Sequence, residues 1–156
     1  VKDTMIEKKF FSDEVILLDE KAVDNFSAIK LVARNLKEKG IVNDSFEEAI
    51  LKREKEYPTG LQLSDGVGVA IPHTDADKVN INQIGIVRLK EPVSFIQMGS
   101  DGQIVPVKMI FVLCLKEAHE QLDMLQNLMN VFSDSKTVSS LLNAKTAKEI
   151  INIICG

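Results

Sequence analysis

Cysteine, histidine and long apolar runs are scarce in this sequence, and each scarcity removes a class of function. Two cysteines in 156 residues cannot build a disulfide framework. Cys114 lies inside an apolar run and Cys155 in the tail, so a reduced, cytoplasmic setting is expected. No stretch approaches the roughly 18 apolar residues of a membrane span, so direct membrane insertion is not expected. The opening Val1-Lys2-Asp3-Thr4-Met5 is not followed by a long apolar run and does not read as a secretory signal. Basic residues (19) are outnumbered by acidic ones (23), giving a net charge of -4. With no Lys/Arg-rich patch, nucleic acid is not an expected partner. No repeat, low-complexity stretch or linker interrupts residues 1–156, which suit one domain with a proper core.

Familiar catalytic signatures are missing too. There is no G-x-x-x-x-G-K-[ST], and Gly66-Val67-Gly68 lacks the third glycine of a dinucleotide fingerprint. Ser64 and Ser94 have no G-x-S-x-G context. His73, Cys114, His119 and Cys155 add up to a two-Cys, two-His set, but without paired ligand spacing, and no zinc site is expected.

What is present is an interleaving of strand and helix signals. Val15-Ile16-Leu17-Leu18 reads as a first strand. Asp24 or Asn25 can cap a helix whose face carries Phe26, Ile29, Val32, Ala33 and Leu36, closed by Lys37, Lys39 and Gly40. Ser45-Phe46-Glu47-Glu48 is a capping-box pattern for a second helix, ending before Pro58. Val69, Ala70 and Ile71 form a short buried strand stopped by Pro72. A strand is expected near residues 81–89, then an irregular loop or short hairpin over 91–103. Residues 107–115 are a nearly unbroken apolar run that suits a central strand covered on both faces. Helices follow over 118–132 and 135–142, and Thr146-Ala147-Lys148-Glu149 signals a last one. The expected fold is an α/β three-layer sandwich, a mixed sheet with helices on both faces.

Three residues carry candidate chemistry. His73 is pushed by Pro72 onto a strand-end loop, where an imidazole, mostly neutral at pH 7, is a nucleophile or simply a polar loop residue. Arg53 shares a 4, 3, 4 spacing with Phe46, Ile50 and Tyr57, which puts all four on one stripe. On that stripe it must either reach a partner or snorkel past Tyr57 to solvent. His119 falls in the first turn of a helix expected to bury Leu122, Leu125, Met129 and Phe132. One turn before Leu122, its ring is expected to face inward over the end of the sheet. There it either hydrogen-bonds at the core edge or, neutral beside helix N–H groups, donates to an anion.

Together, Arg53-Glu54-Lys55 with Pro58-Thr59, Gly68-Val69-Ala70-Ile71-Pro72-His73, and His119 ahead of Leu122 and Leu125 resemble the enzyme IIA domains of the bacterial phosphoenolpyruvate:sugar phosphotransferase system, in the fructose/mannitol group. The resemblance covers nearly the whole chain. It implies that His73 accepts a phosphoryl group from HPr and passes it to a cysteine of enzyme IIB, with Arg53 stabilising the group and His119 supporting. It implies no metal and no cofactor. The stretch from Thr59 to His73 is longer than in mannitol-type members, and Glu56-Tyr57-Pro58-Thr59-Gly60-Leu61 is more similar to galactitol-type enzyme IIA, which makes galactitol the implied sugar. A regulatory module of the same type, signalling phosphorylation state without sugar transport, is the alternative.

Overall fold

Side chains along the run from Met109 to Cys114 alternate between two separate cores. Met109, Phe111 and Leu113 pack into one, Ile110, Val112 and Cys114 into the other. That period of two is what a strand buried on both faces produces. The computed structural model describes residues 6–63 and 66–156. Ser64 and the opening Val1–Met5 segment, both weighed above, lie outside the described residues.

In chain order the strands and helices are β1 (Ile16–Glu20), α1 (Asn25–Glu38), α2 (Phe46–Glu56), β2 (Gly60–Gln62), β3 (Gly68–Ala70), β4 (Gln83–Ile96), β5 (Ile104–Cys114), α3 (Ala118–Phe132), α4 (Ser135–Asn143) and α5 (Ala147–Cys155). The sheet order is β1-β4-β5-β3-β2, which makes β5 the central strand. The sheet is mixed: β1 with β4 and β3 with β5 are parallel, β4 with β5 and β2 with β3 antiparallel. Helices α1 and α2 pack Ile29, Val32, Leu36, Phe46 and Ile50 on one face. Helices α3, α4 and α5 pack Leu128, Phe132, Leu141 and Ile150 on the other. This is the expected three-layer α/β sandwich.

Local chemistry accounts for most boundaries. Asp24 caps α1 by accepting the Ser27 N–H at 2.8 Å. Gly40, at φ 76°, lets the chain turn back so that the Ile41 N–H reaches the Leu36 carbonyl at 2.9 Å. Left-handed backbone of this kind is cheap only for glycine. Thr146 caps α5 by accepting the Glu149 N–H at 3.1 Å. The expected capping box at Ser45 does not form. Ser45 is itself helical, its side chain caps nothing, and Asn43 accepts its N–H instead at 2.9 Å.

Two strand expectations need correction. β1 begins at Ile16, because residues Asp13–Val15 form a 3-10 turn. Strand β4 does not end near residue 89. It runs on to Ile96 and pairs with β5 out to Ile104, so most of the segment expected to be irregular belongs to a long hairpin. A register irregularity between Arg88 and Val93 takes up Pro92, where a missing N–H leaves no ladder bond unmade.

Helix α3 departs from expectation in a way that matters for the site. Its buried residues are Met124, Leu128 and Phe132, while Leu122 is 57% and Met129 42% exposed. The helix is apolar at 122, 124, 125, 128, 129, 131 and 132. That arc is wider than one buried stripe, and the sheet takes the side centred on Leu128.

Candidate functional site

β3 ends after three residues, and the chain that leaves it is held at close intervals. The Ile71 N–H donates to the Thr59 carbonyl at 3.2 Å, and the Pro72 carbonyl accepts the Leu113 N–H at 3.1 Å. These bonds put His73 just past the sheet edge. Gly68 allows the approach: a Cβ there would collide with Val105 Cγ1 and meet the Leu61 carbonyl oxygen at 2.6 Å.

Among the described residues the His73 ring has one hydrogen bond, from Nδ1 to the Ile71 carbonyl at 3.0 Å. A carbonyl only accepts, so Nδ1 carries the proton and the lone pair sits on Nε2. Burial lowers the His73 pKa from 6.5; the Ile71 bond opposes this, and the nearby Arg53 charge lowers it further. The ring is therefore neutral at pH 7, with Nε2 free to act as a nucleophile.

His73 opens into a cleft of about 280 Å³ that it shares with Arg53, Thr74, Asp75, Ala118, Gln121, Leu122 and Leu125. Arg53 is half-buried, and its guanidinium carbon lies 4.9 Å from the centre of the Tyr57 ring. Among the described residues no carboxylate pairs with it. A guanidinium held by an aromatic face and aimed into a cleft is a ready donor fork for an oxyanion. The structure thus brings Arg53 and His73 together.

His119 is placed differently from expectation. It is exposed on the first turn of α3 and does not line the cleft. The cause is the rotation of α3 described above: Ala118, Gln121, Leu122 and Leu125 share the face toward His73, and position 119 falls outside that arc. Gln121 holds the inner place. Its Nε2 donates to the Thr74 carbonyl at 3.1 Å and to the Leu115 carbonyl at 3.2 Å. It thereby straps the His73 loop to the end of β5.

The stripe on α2 also needs correction. Phe46 and Ile50 are fully buried, but the third buried residue is Glu54, while Tyr57 is 61% exposed. Glu54 accepts the Thr59 N–H at 2.8 Å and the Thr59 hydroxyl at 2.7 Å. Burial pushes its carboxyl up to about 7, against the pull of both Thr59 bonds. Glu54 enters the sequence reading only within Arg53-Glu54-Lys55, without a role, and Gln121 does not enter it. For Glu54 the i, i+4, i+8 spacing from Phe46 and Ile50 is the available signal.

No group of three or more metal-capable side chains occurs among the described residues. Cys114 and Cys155 are both buried and belong to the cores on opposite faces of the sheet. Burial pushes both thiols upward. No helix among the described residues is long and apolar enough to cross a membrane.

The family description "phosphoenolpyruvate-dependent sugar phosphotransferase system, EIIA 2" matches residues 9–155. The chain belongs to the EIIA 2 family. A mannitol-specific phosphotransferase enzyme IIA component of Staphylococcus aureus is 31% identical over 143 residues, 91% of this chain and 92% of its own length. The galactitol-specific EIIA component of Escherichia coli K12 is 28% identical over 120 residues, 77% of this chain and 79% of its own length. The crystal structure of nitrogen regulatory protein IIA-Ntr from Neisseria meningitidis superposes with a TM-score of 0.75 at 27% identity, covering 94% of this chain and 97% of that one. This EIIA chain is thus a component of the sugar phosphotransferase system. The family match covers the cleft between α2, the His73 loop and α3.

Proposed function

We propose that this EIIA chain is a phosphocarrier that accepts a phosphoryl group from HPr on Nε2 of His73 and delivers it to a cysteine of enzyme IIB during sugar uptake. The observation that carries the reading is the single ring bond from Nδ1 to the Ile71 carbonyl. It leaves Nε2 as the nucleophilic atom, at a cleft with a guanidinium that no carboxylate among the described residues pairs with. In the accepting step the Nε2 lone pair forms a bond to phosphorus. The N–P bond of the donor phosphohistidine breaks, and its electron pair returns to the donor ring. In the delivering step a thiolate sulfur takes the group and Nε2 recovers its lone pair. No metal or cofactor enters either step.

The remaining roles follow from position. Arg53 supplies parallel N–H donors to the phosphoryl oxygens, a geometry suited to a trigonal transferring group. The first turn of α3 adds backbone N–H groups, since Glu117 makes no side-chain cap there and such groups favour anions. His119 acts from the rim as a supporting group in onward transfer, once a docked partner covers the cleft. Shallow exposure suits a site that must serve two protein partners in turn. For the sugar we propose galactitol. The relatives named for galactitol and mannitol support a hexitol, and the Glu56–Leu61 segment supports the first of the two.

Incubation with phosphoenolpyruvate, enzyme I and HPr tests the acceptor step. One phosphoryl group per chain, acid-labile, alkali-stable and located at His73, is the expected product. Uptake by a His73→Ala protein would refute the assignment. Addition of galactitol-specific or mannitol-specific IIB then tests delivery. Discharge to the galactitol-specific protein is expected, and discharge to neither favours the regulatory alternative.

A further inference from the structure

We propose that Glu54 is a positioning residue for the His73 ring, acting through Thr59 and the Ile71 peptide without touching the phosphoryl group. This rests on the reading of His73 as the acceptor.

The chain of contacts is short and continuous. The Glu54 carboxylate accepts the Thr59 N–H at 2.8 Å and the Thr59 hydroxyl at 2.7 Å. The carbonyl of the same Thr59 accepts the Ile71 N–H at 3.2 Å. The carbonyl of Ile71 then accepts the proton on His73 Nδ1 at 3.0 Å. Each step ties a fixed donor to a fixed acceptor, and Glu54 itself stands on a rigid helix. The orientation of the ring, and the choice of nitrogen that keeps the lone pair, are thereby referred back to α2. Arg53 is the adjacent residue on that helix, so nucleophile and phosphoryl donor fork share one frame.

Packing alone does not call for a carboxylate here. Glu54 follows Phe46 and Ile50 on the buried stripe and is only 4% exposed. An apolar residue at this place would avoid the cost of burying an ionisable group. Thr59 is equally enclosed at 4%. Removing the carboxylate would leave its N–H and hydroxyl without their present partner. A glutamine could keep both bonds: its amide oxygen accepts the N–H, and its NH2 donates to the hydroxyl oxygen.

The test compares Glu54→Gln, Glu54→Leu and Thr59→Val by two readouts. The first is the His73 tautomer, read from ring nitrogen chemical shifts of 15N-histidine-labelled, unphosphorylated protein at pH 7.5. The second is the kinetics of phosphoryl uptake from phosphorylated HPr, resolved into maximal rate and half-saturating donor concentration. Wild type and Glu54→Gln are expected to show the Nδ1–H form and equal rates. Glu54→Leu is expected to show a mixture of tautomers and a maximal rate lower by roughly tenfold, as misorientation of a nucleophile produces, with half-saturation unchanged. Thr59→Val keeps the backbone bond and loses the hydroxyl bond, so an intermediate loss is expected. It also keeps the question open to test should Glu54→Leu not fold. Wild-type tautomer and wild-type maximal rate in both Glu54→Leu and Thr59→Val, or in Thr59→Val alone should Glu54→Leu not fold, would overturn the proposal. If wild type takes up no phosphoryl group, the acceptor reading fails, and the tautomer comparison still decides whether Glu54 orients the ring.

Discussion

Replacing Glu54 by glutamine should change how stability depends on pH, and the sign of the change is set by where the carboxyl titrates. Burial raises the folded-state pKa from the ordinary value of 4.5 to about 7. Between those two values the folded chain holds a proton that the unfolded chain has already released. Raising the pH through this window therefore favours unfolding, and stability falls as pH rises. At about 1.4 kcal/mol per pH unit, the whole window corresponds to about 3 kcal/mol, most of it between pH 5 and pH 8. Glutamine does not titrate and keeps the two Thr59 contacts, so the variant lacks this contribution. His73 has a lowered pKa and works in the opposite direction below pH 6.5, where acidification protonates the unfolded chain first. Its slope is common to both proteins and cancels in their difference. Urea denaturation of wild type and Glu54→Gln at pH 5, 6, 7 and 8 provides the measurement. The variant should gain on wild type by about 2 to 3 kcal/mol across that range. Parallel curves, with a difference constant to within about 0.5 kcal/mol, would refute the argument and place the Glu54 carboxyl in the ordinary range.

Three further outcomes are expected. Arg53→Lys should keep the melting temperature within about 2 °C and slow phosphoryl uptake by about ten- to a hundredfold, because a point charge replaces a donor fork; stopped-flow transfer from phosphorylated HPr measures this, and unchanged kinetics would remove Arg53 from the site. The rate of phosphoryl uptake should stay level as pH falls from 8 to 6.5, since burial keeps the His73 ring neutral below its ordinary titration; a rate that halves at pH 6.5 would show an unperturbed imidazole. His119→Ala should accept the phosphoryl group at the wild-type rate and discharge it to IIB several-fold more slowly, whereas equal discharge rates would leave His119 an ordinary helix-end residue.

The parts of the fold legible in the sequence were those with one dominant local signal. The run over residues 107–115 is apolar on both alternating faces, which suits a covered strand. β3 was legible to within a residue: it spans Gly68–Ala70 where residues 69–71 were expected, and Pro72, which cannot donate to the ladder, follows Ile71 and leaves His73 beyond the sheet edge. Misreadings arose where two patterns competed. On α2, Arg53 and Glu54 are both charged and both lie near the Phe46–Ile50 stripe. Spacing of three or four residues is equally helical, and the Thr59 that satisfies Glu54 sits on an aperiodic turn. On α3, seven apolar positions from 122 to 132 offered more than one way to face the sheet. The choice is made by tertiary packing around Phe111, whose ring centre is 4.9 Å from that of Phe132. His119 followed that misjudged rotation outward, and Gln121 went unnoticed because a lone glutamine carries no periodic signal. β2, only three residues long, is defined by its pairing with β3 and by the Gly60–Gln97 bridge, both invisible locally.

The early end of β3 has a consequence for the whole molecule. Its neighbour β5 runs on from Ile110, the partner of Ala70, to Cys114. The sheet therefore narrows at this corner, and residues of both helical layers line the cleft beside it. Arg53 arrives from the α2 layer, Ala118 and Gln121 from the α3 layer, and His73 rises between them. A negative group carried on His73 would draw on donors from both layers at once, and so act as a clasp across the cleft.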